Sequence, residues 1–502
     1  MKRKEQKQKL IRLLAIILVV LLVSLTVLTV LVSAFAEEAS PARDAYEINI
    51  DYLEDEQALH ITQRLVYHNR TSFDMDRVVF AAAANMYRRA SALIYENDML
   101  ETIFPEGYAP AGADVVSVRC NGAEADWGYA DSEEMTLRVA CELAPGEACT
   151  FEFDYYLLLS RNRGMIGEYD TDVRLSGFYF IPGLTSETYR EFLVNAPVQH
   201  TRWILASSAD YQVTLTLPDQ YLPAATGSET LVSTADHRSV WRIEAQNVRE
   251  FALSFGRRYR ETTAVTDSGV TVRLLSNRRS DAGALKTAAE TIGVYEEWLG
   301  SFPMDQIDLV QSDYPVGALN SPGTIWLPES LFDSEKDMSM ALRFCLAQQY
   351  IGFAAYAEPV QDAWLSDVPC SYLALLAVEE SDGYAAFVDA LNDQVLDALR
   401  ITIPGGLYIT ADASLFSASE YGLIVLDRGA VVMHELRLAM GREEWISAMR
   451  KFYEMGLQQN LLGEMDLVTA LNAAAGGDWE DFLTDWLFNV ADYVDQQLDH
   501  YE

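Results

Sequence analysis

The periodicity of the apolar residues changes once along this chain, and that change bounds what it can fold into. From Tyr46 the apolar positions alternate: Tyr46, Ile48, Ile50 and Tyr52, a charged turn at Glu54–Glu56, then Leu59, Ile61, Leu65 and Tyr67. Alternation places every second side chain on one face and predicts half-buried strands. The runs FEFDYYLLL from Phe151, YQVTLTLP from Tyr211, SVWRIEA from Ser239 and EFALSFG from Glu250 carry the pattern to about residue 262. A polar stretch at Thr262–Ser268 and one more strand at Val270–Leu275 follow. The spacing then turns helical over Ala284–Leu299, Asp337–Phe353, Ser366–Glu380, Tyr384–Leu399, Tyr421–Met440, Glu443–Met455 and Asp466–Ala475. These patterns predict an α+β multidomain chain: a β-rich, sandwich or saddle-like domain over 46–262, then a mainly helical α/β domain over 263–502.

The first 36 residues stand apart. Lys2, Arg3, Lys4, Lys7, Lys9 and Arg12 precede an uncharged run of 24 residues from Leu13 to Ala36. As a helix that run is about 36 Å long, enough to cross a hydrocarbon core of about 30 Å. Its basic flank stays on the cytoplasmic side, so the main domains are expected outside the cytoplasm. Ala34-Phe35-Ala36 before Glu37 also fits a signal-peptidase site, and a secreted chain is the alternative. Residues 1–36 are therefore expected to be a membrane-spanning signal-anchor that contacts the lipid bilayer through 13–36, with a polar linker at 37–45.

Charge narrows the function classes. The first fourteen residues carry six basic groups and one acidic group, a net of +5; the chain total of −38 leaves −43 for the rest. Such a surface repels phosphate backbones and excludes nucleic acid as a partner. The acids are scattered, as on a solvated face, not spaced as in a calcium loop. Of five cysteines, Cys120, Cys141 and Cys149 fall in the β region, where an exported chain can form one bridge among them. No pair has C-x-x-C spacing. Asn69-Arg70-Thr71 matches a glycosylation sequon of a kind that arises often by chance.

One stretch carries a more specific signal. Residues 338–376 include Ala347-Gln348-Gln349-Tyr350-Ile351-Gly352 and then Trp364-Leu365-Ser366-Asp367, with eighteen residues between Gln348 and Asp367. This frame resembles the active-site segment of the zinc aminopeptidases (gluzincins) typified by membrane alanyl aminopeptidase, which read H-E-x-x-H-Q-W and then Trp-Leu-x-Glu. Weaker local likenesses run through the β region, at Val66-Tyr67-His68-Asn69, Glu106-Gly107-Tyr108, Ser176-Gly177-Phe178-Tyr179 and the strand from Ala209. Phe482 to Leu487 resembles the helix that closes the family's catalytic domain. The resemblance implies a thermolysin-like second domain.

It also implies where the chemistry should sit, and those letters differ. The two His ligand positions hold Phe344 and Gln348, the general-base Glu position holds Cys345, and the third ligand position holds Asp367. Phe cannot coordinate zinc, and a neutral amide is a poor ligand. The family's G-[AG]-M-E-N loop, whose Glu holds the substrate's α-amine, reads Gly317-Ala318-Leu319-Asn320 here. The Tyr that stabilises the oxyanion is replaced by Leu426, before an intact Asp427-Arg428-Gly429-Ala430 step. His434-Glu435 has Leu438 where a second His would stand, and His434 is expected to be a core histidine. A zinc site rebuilt from Cys345, Asp367 and Cys370 is the metal-binding alternative; a buried thiol pair or a disulfide between Cys345 and Cys370 is the plainer expectation. The reading is thus an aminopeptidase-like protein with no catalytic set, no cofactor (zinc only if the family function is retained), and a cleft for peptide or protein. Gly317, Ala318, Leu319, Asn320 and Tyr350 are its candidate cleft residues. An active enzyme with a rearranged zinc site and a structural envelope protein are the alternatives.

Overall fold

In the computed structural model, residues 43–277, 282–400 and 407–488 are described. The apolar run 13–36 and residues 37–42 of the linker lie outside them. Among the described residues no helix is long and apolar enough to cross a membrane.

The β region is built on an eight-stranded sheet. Strands β1 (Asp44–Leu53) and β2 (Ala58–His68) pair antiparallel at its centre. Tyr46, Ile48, Ile50 and Tyr52 of β1 are all buried, as are Leu59, Ile61, Leu65 and Tyr67 of β2, so the alternation marks the core face. Gln63 interrupts that face without penalty: its amide donates to the Phe180 carbonyl at 2.7 Å and accepts from the Phe180 N–H at 3.0 Å. Next come β3 (Gly112–Cys120), β4 (Thr136–Leu143) and β5 (Ala148–Leu158). β5 lies between β2 and β3 in the large sheet, whereas β4 belongs to a separate four-stranded sheet. Strand β6 (Ala209–Pro218) runs parallel to β1, and β7 (Arg238–Val248) pairs with β6.

The second region opens on a five-stranded sheet of β8 (Arg260–Val265), β9 (Thr271–Ser276), β10 (Gln306–Ser312), β11 (Leu319–Ser321) and β12 (Thr324–Pro328), in the order β8-β9-β10-β12-β11. The polar stretch expected at Thr262–Ser268 is in large part strand β8, paired antiparallel with β9. It is polar because it is an exposed edge, and charged or polar edges resist strand addition. Position 262 thus falls inside a strand of this sheet.

Helices follow close to the expected bounds: α1 (Ala282–Leu299), α2 (Glu335–Tyr350), α3 (Trp364–Asp382), α4 (Tyr384–Arg400), α5 (Arg428–Met440), α6 (Arg442–Gly456) and α7 (Glu464–Ala475). Ser334 caps α2 by accepting from the Asp337 N–H at 3.2 Å. The expected helix from Tyr421 to Met440 is not uniform. A turn at Ala418–Tyr421, opened by a capping box between Ser417 and Glu420, leads into a π-helical segment, Gly422–Asp427, and then into α5. Helix α5 lies so close to α3 that a Cβ on Gly429 would sit 2.4 Å from Val368 Cγ2. His434 is a core residue as expected, with Nδ1 2.8 Å from the Tyr372 hydroxyl.

Candidate functional site

Four elements of the second region and several segments of the first converge on one cleft of about 240 Å³. Helix α2 supplies Phe344 and Gln348, α3 supplies Asp367, and the edge strand β11 supplies Leu319 and Asn320. The π segment contributes Leu426, with Tyr421 one π turn before it on the same side. From the β region come Gln199 to Trp203 and the buried Glu250.

Asp367 is the hub. Its Oδ1 accepts from Gln348 Nε2 at 2.8 Å and lies 2.9 Å from an Arg202 guanidinium nitrogen. Its Oδ2 accepts from the Tyr421 hydroxyl at 2.6 Å and from Thr201 Oγ1 at 3.3 Å. Both Asp367 and Arg202 are buried, so neither charge is stable without the other. Burial opposes the charge on Arg202, yet the Asp367 carboxylate holds its pKa above the usual value. Gly352 makes this arrangement possible: a Cβ there would lie 3.1 Å from the Arg202 guanidinium carbon and 2.9 Å from the Gln348 carbonyl. Arg202 Nε and one terminal nitrogen have no partner, although both are buried.

A chain of amides extends the network. Gln348 Oε1 accepts from Asn320 Nδ2 at 3.1 Å, and Asn320 Nδ2 also donates to the Cys345 carbonyl at 2.9 Å. Asn320 Oδ1 accepts from Gln349 Nε2 at 2.7 Å, and Gln349 Oε1 accepts from the Gly323 N–H at 2.9 Å. The side chains of Gln348, Asn320 and Gln349 are therefore fixed in position by one another.

These residues do not fit zinc. All the oxygen capacity of Asp367 is committed to donors, one of them a cation that would repel a second. Gln348 turns its N–H₂ towards Asp367, and Phe344 offers no donor atom. Nor does the alternative set assemble: Cys370 Sγ donates to the Ile351 carbonyl at 3.0 Å, and Cys345 and Cys370 are both buried free thiols, the first of the two forms expected of them and not the disulfide. Burial raises the Cys345 thiol to about 12, so it is neither a base nor a ready ligand at neutral pH.

Of the expected cleft residues, Ala318, Leu319 and Asn320 line it. Gly317, just before β11, is exposed and lies outside the lining. Tyr350 is a correction. It is fully buried behind α2, donates to the Gly300 carbonyl at 3.0 Å, and packs edge-on against Tyr295, Phe302 and Tyr453. It faces the opposite side of α2 from Phe344 and Gln348, six and two residues away, as a 100° step per residue requires.

Sequence reasoning missed Arg202, Thr201, Tyr421 and Glu250. Arg202 lies 165 positions before Asp367 in an irregular segment, where no periodicity points to a partner. Glu250 could be noticed only as an acid beginning an apolar strand. Burial raises its carboxyl to about 7, partly offset by a Ser321 hydrogen bond and by Arg202.

No family model matches the chain. Aminopeptidase N of Lactococcus lactis subsp. lactis is 23 % identical over 278 residues, which is 50 % of this chain and 32 % of that protein; the match spans about a third of its relative. The fold is that of the M1 zinc metallopeptidases. The Deinococcus radiodurans enzyme superposes with a TM-score of 0.63 at 18 % identity, covering 89 % of this chain and 94 % of that one. A mutant of that enzyme bound to a Tyr-Ser-Ala substrate gives 0.64 at 18 % identity, with the same coverage.

Proposed function

Starting from a chain that resembles the zinc aminopeptidases in sequence and shares their fold, we propose a membrane-anchored, extracytoplasmic pseudopeptidase that holds a peptide or protein segment in its cleft. The observation that carries this reading is the Arg202–Asp367 ion pair, set among the positions that the resemblance assigns to zinc. A guanidinium there provides fixed positive charge without an exchangeable water. With no metal-activated water and no base in the position of Cys345, attack on a peptide bond has no nucleophile.

What remains is recognition. The unpartnered Arg202 donors offer hydrogen bonds to an acceptor oxygen, such as a peptide carbonyl or a terminal carboxylate. Phe344, Leu319 and Leu426 supply apolar wall. With Asn320 in place of the family's Glu, that position offers no charge to pair with a free amine. The open volume of the cleft favours this reading over a purely structural envelope component, for which a filled cleft is expected.

The test pairs binding with turnover on the full-length protein in detergent. A peptide array should yield sequences that bind the wild type and are lost in Ala318→Trp, which fills the cleft from its edge. Aminoacyl and peptidyl chromogenic substrates should show no turnover with zinc added. Zinc-dependent hydrolysis that disappears in Asp367→Ala would overturn the proposal.

A further inference from the structure

Outside the cleft, the β region gathers three thiols. Cys120 ends β3, Cys141 lies in β4, and Cys149 stands at the second position of β5. Their Sγ atoms all lie within 4.8 Å of one another. Two sheets meet here: β3 and β5 are neighbours in the large sheet, and β4 packs against both from the four-stranded sheet. Cys141 and Cys149 are buried and Cys120 is partly exposed, so the group has one route from solvent.

The expected disulfide is absent, and all three cysteines are free. The register gives a reason for the pair within one sheet. Cys120 stands opposite Phe151 in β5, which leaves Cys149 diagonal to it. Diagonal neighbours are about 7–8 Å apart, beyond the roughly 4.4–6.8 Å between Cα atoms that a disulfide takes. A bridge from Cys141 to either of the others would leave the third thiol unused.

A metal ion uses all three. Thiolate–metal bonds of about 2.3 Å in a trigonal arrangement place the sulfurs about 4.0 Å apart, a small contraction of the observed triangle. Among the described residues no carboxylate or imidazole joins the group. An all-sulfur donor set discriminates against calcium and magnesium and selects soft ions such as copper(I), zinc and cadmium.

We propose that Cys120, Cys141 and Cys149 hold a soft, thiophilic metal ion through three thiolates, fastening the two sheets of the β region to each other. Three S–H bonds break, their protons pass to solvent, and three metal–sulfur bonds form with no change of oxidation state. The site is independent of the cleft and of the function proposed for it.

The experiment is a titration of the reduced full-length protein with cadmium(II) alone, following the thiolate-to-cadmium charge-transfer absorption. One equivalent should bind. Alkylation mapped by mass spectrometry should then show Cys120, Cys141 and Cys149 protected by cadmium, while Cys345 and Cys370 are unchanged by it. Cys141→Ser should weaken binding by more than the roughly 10–100-fold typical of an outer-shell change, and a Cys345→Ser, Cys370→Ser double variant should bind like the wild type. The protection map needs no variant, so it stands even if Cys141→Ser fails to fold. Three thiols that stay reactive in the presence of cadmium overturn the proposal. So does a protein isolated with two of the three joined in a disulfide, or cadmium retained at full affinity in Cys141→Ser.

Discussion

Asp367 accepts three hydrogen bonds and pairs with one cation, all within a buried pocket, and this single residue separates two chemistries. The same carboxylate beside two imidazoles would help hold a metal; beside Arg202 it holds a guanidinium. Breaking a buried pair from one side leaves an uncompensated charge, at a cost of about 3–5 kcal/mol. Asp367→Ala should therefore lose about that much stability in urea unfolding. Arg202→Met combined with Asp367→Ala should recover most of it, and saturating zinc should restore none. A double variant no more stable than the single one would mean that the ion pair is not what fixes this pocket. Glu250, a few residues from the strand that follows, carries a second signature. Its carboxyl titrates near 4.5 when unfolded and about 7 when buried. The folded state thus binds the proton more tightly. Its contribution is fully present below pH 4.5 and is lost as pH rises through 7. The gap between Glu250→Gln and the wild type should widen in favour of the variant by about 3 kcal/mol between those limits, by the linkage of proton binding to folding. Chemical denaturation at a series of pH values measures it. Asn69 shows the opposite use of burial. Its amide donates to the Phe73 and Leu143 carbonyls, which is why this sequon serves the fold and is closed to a glycan in the folded chain.

At the scale of elements, what was legible followed periodicity and what was not followed tertiary contact. The inward face of β1 and β2 could be read from Tyr46 to Tyr67 because one side of that sheet is packed. Most of helices α1 to α7 could be read from a 3.6-residue stripe, whereas α3, buried on every side from Trp364 to Val378, could be read as a long apolar run. Strand β8 was read as a polar stretch at Thr262–Ser268, since an edge strand has no buried face to advertise. The π segment Gly422–Asp427 was invisible because one wider turn inside an apolar helix leaves the composition unchanged; it rotates Tyr421 into the cleft, where only Leu426 was expected. Arg202 sits in no periodic element at all. Gly429 was legible as a motif letter, and the structure supplies its physical reason in the approach of α5 to α3. In Gly429→Ala the new methyl would meet Val368, and overpacking of this kind typically costs about 1–3 kcal/mol. Adding Val368→Ala should return most of that loss in thermal unfolding; a double variant as unstable as Gly429→Ala would place the strain elsewhere.

At the scale of the whole molecule, charge decides how the chain can meet a membrane. Beyond its first fourteen residues it carries a net −43. A surface of that sign is repelled by anionic headgroups, so peripheral attachment through the folded region is unfavourable, and the proposed anchoring rests on the apolar run 13–36. On the proposed anchoring, the basic residues before that run would set its orientation. Full-length protein should therefore remain with the membrane fraction through both high-salt and alkaline washes, because neither weakens a hydrophobic span. Removing residues 1–36 should release it completely, with the stability of the folded region unchanged. A soluble mature protein whose first residue is Glu37 would show instead that the run is a cleaved signal, leaving the same acidic domains free to diffuse. The distinction bears directly on the cleft. On a tethered chain it samples only segments presented near the membrane surface, at an effective concentration set by the short linker 37–45, and modest intrinsic affinity then suffices. Released, the same cleft would need a far tighter fit to hold any partner.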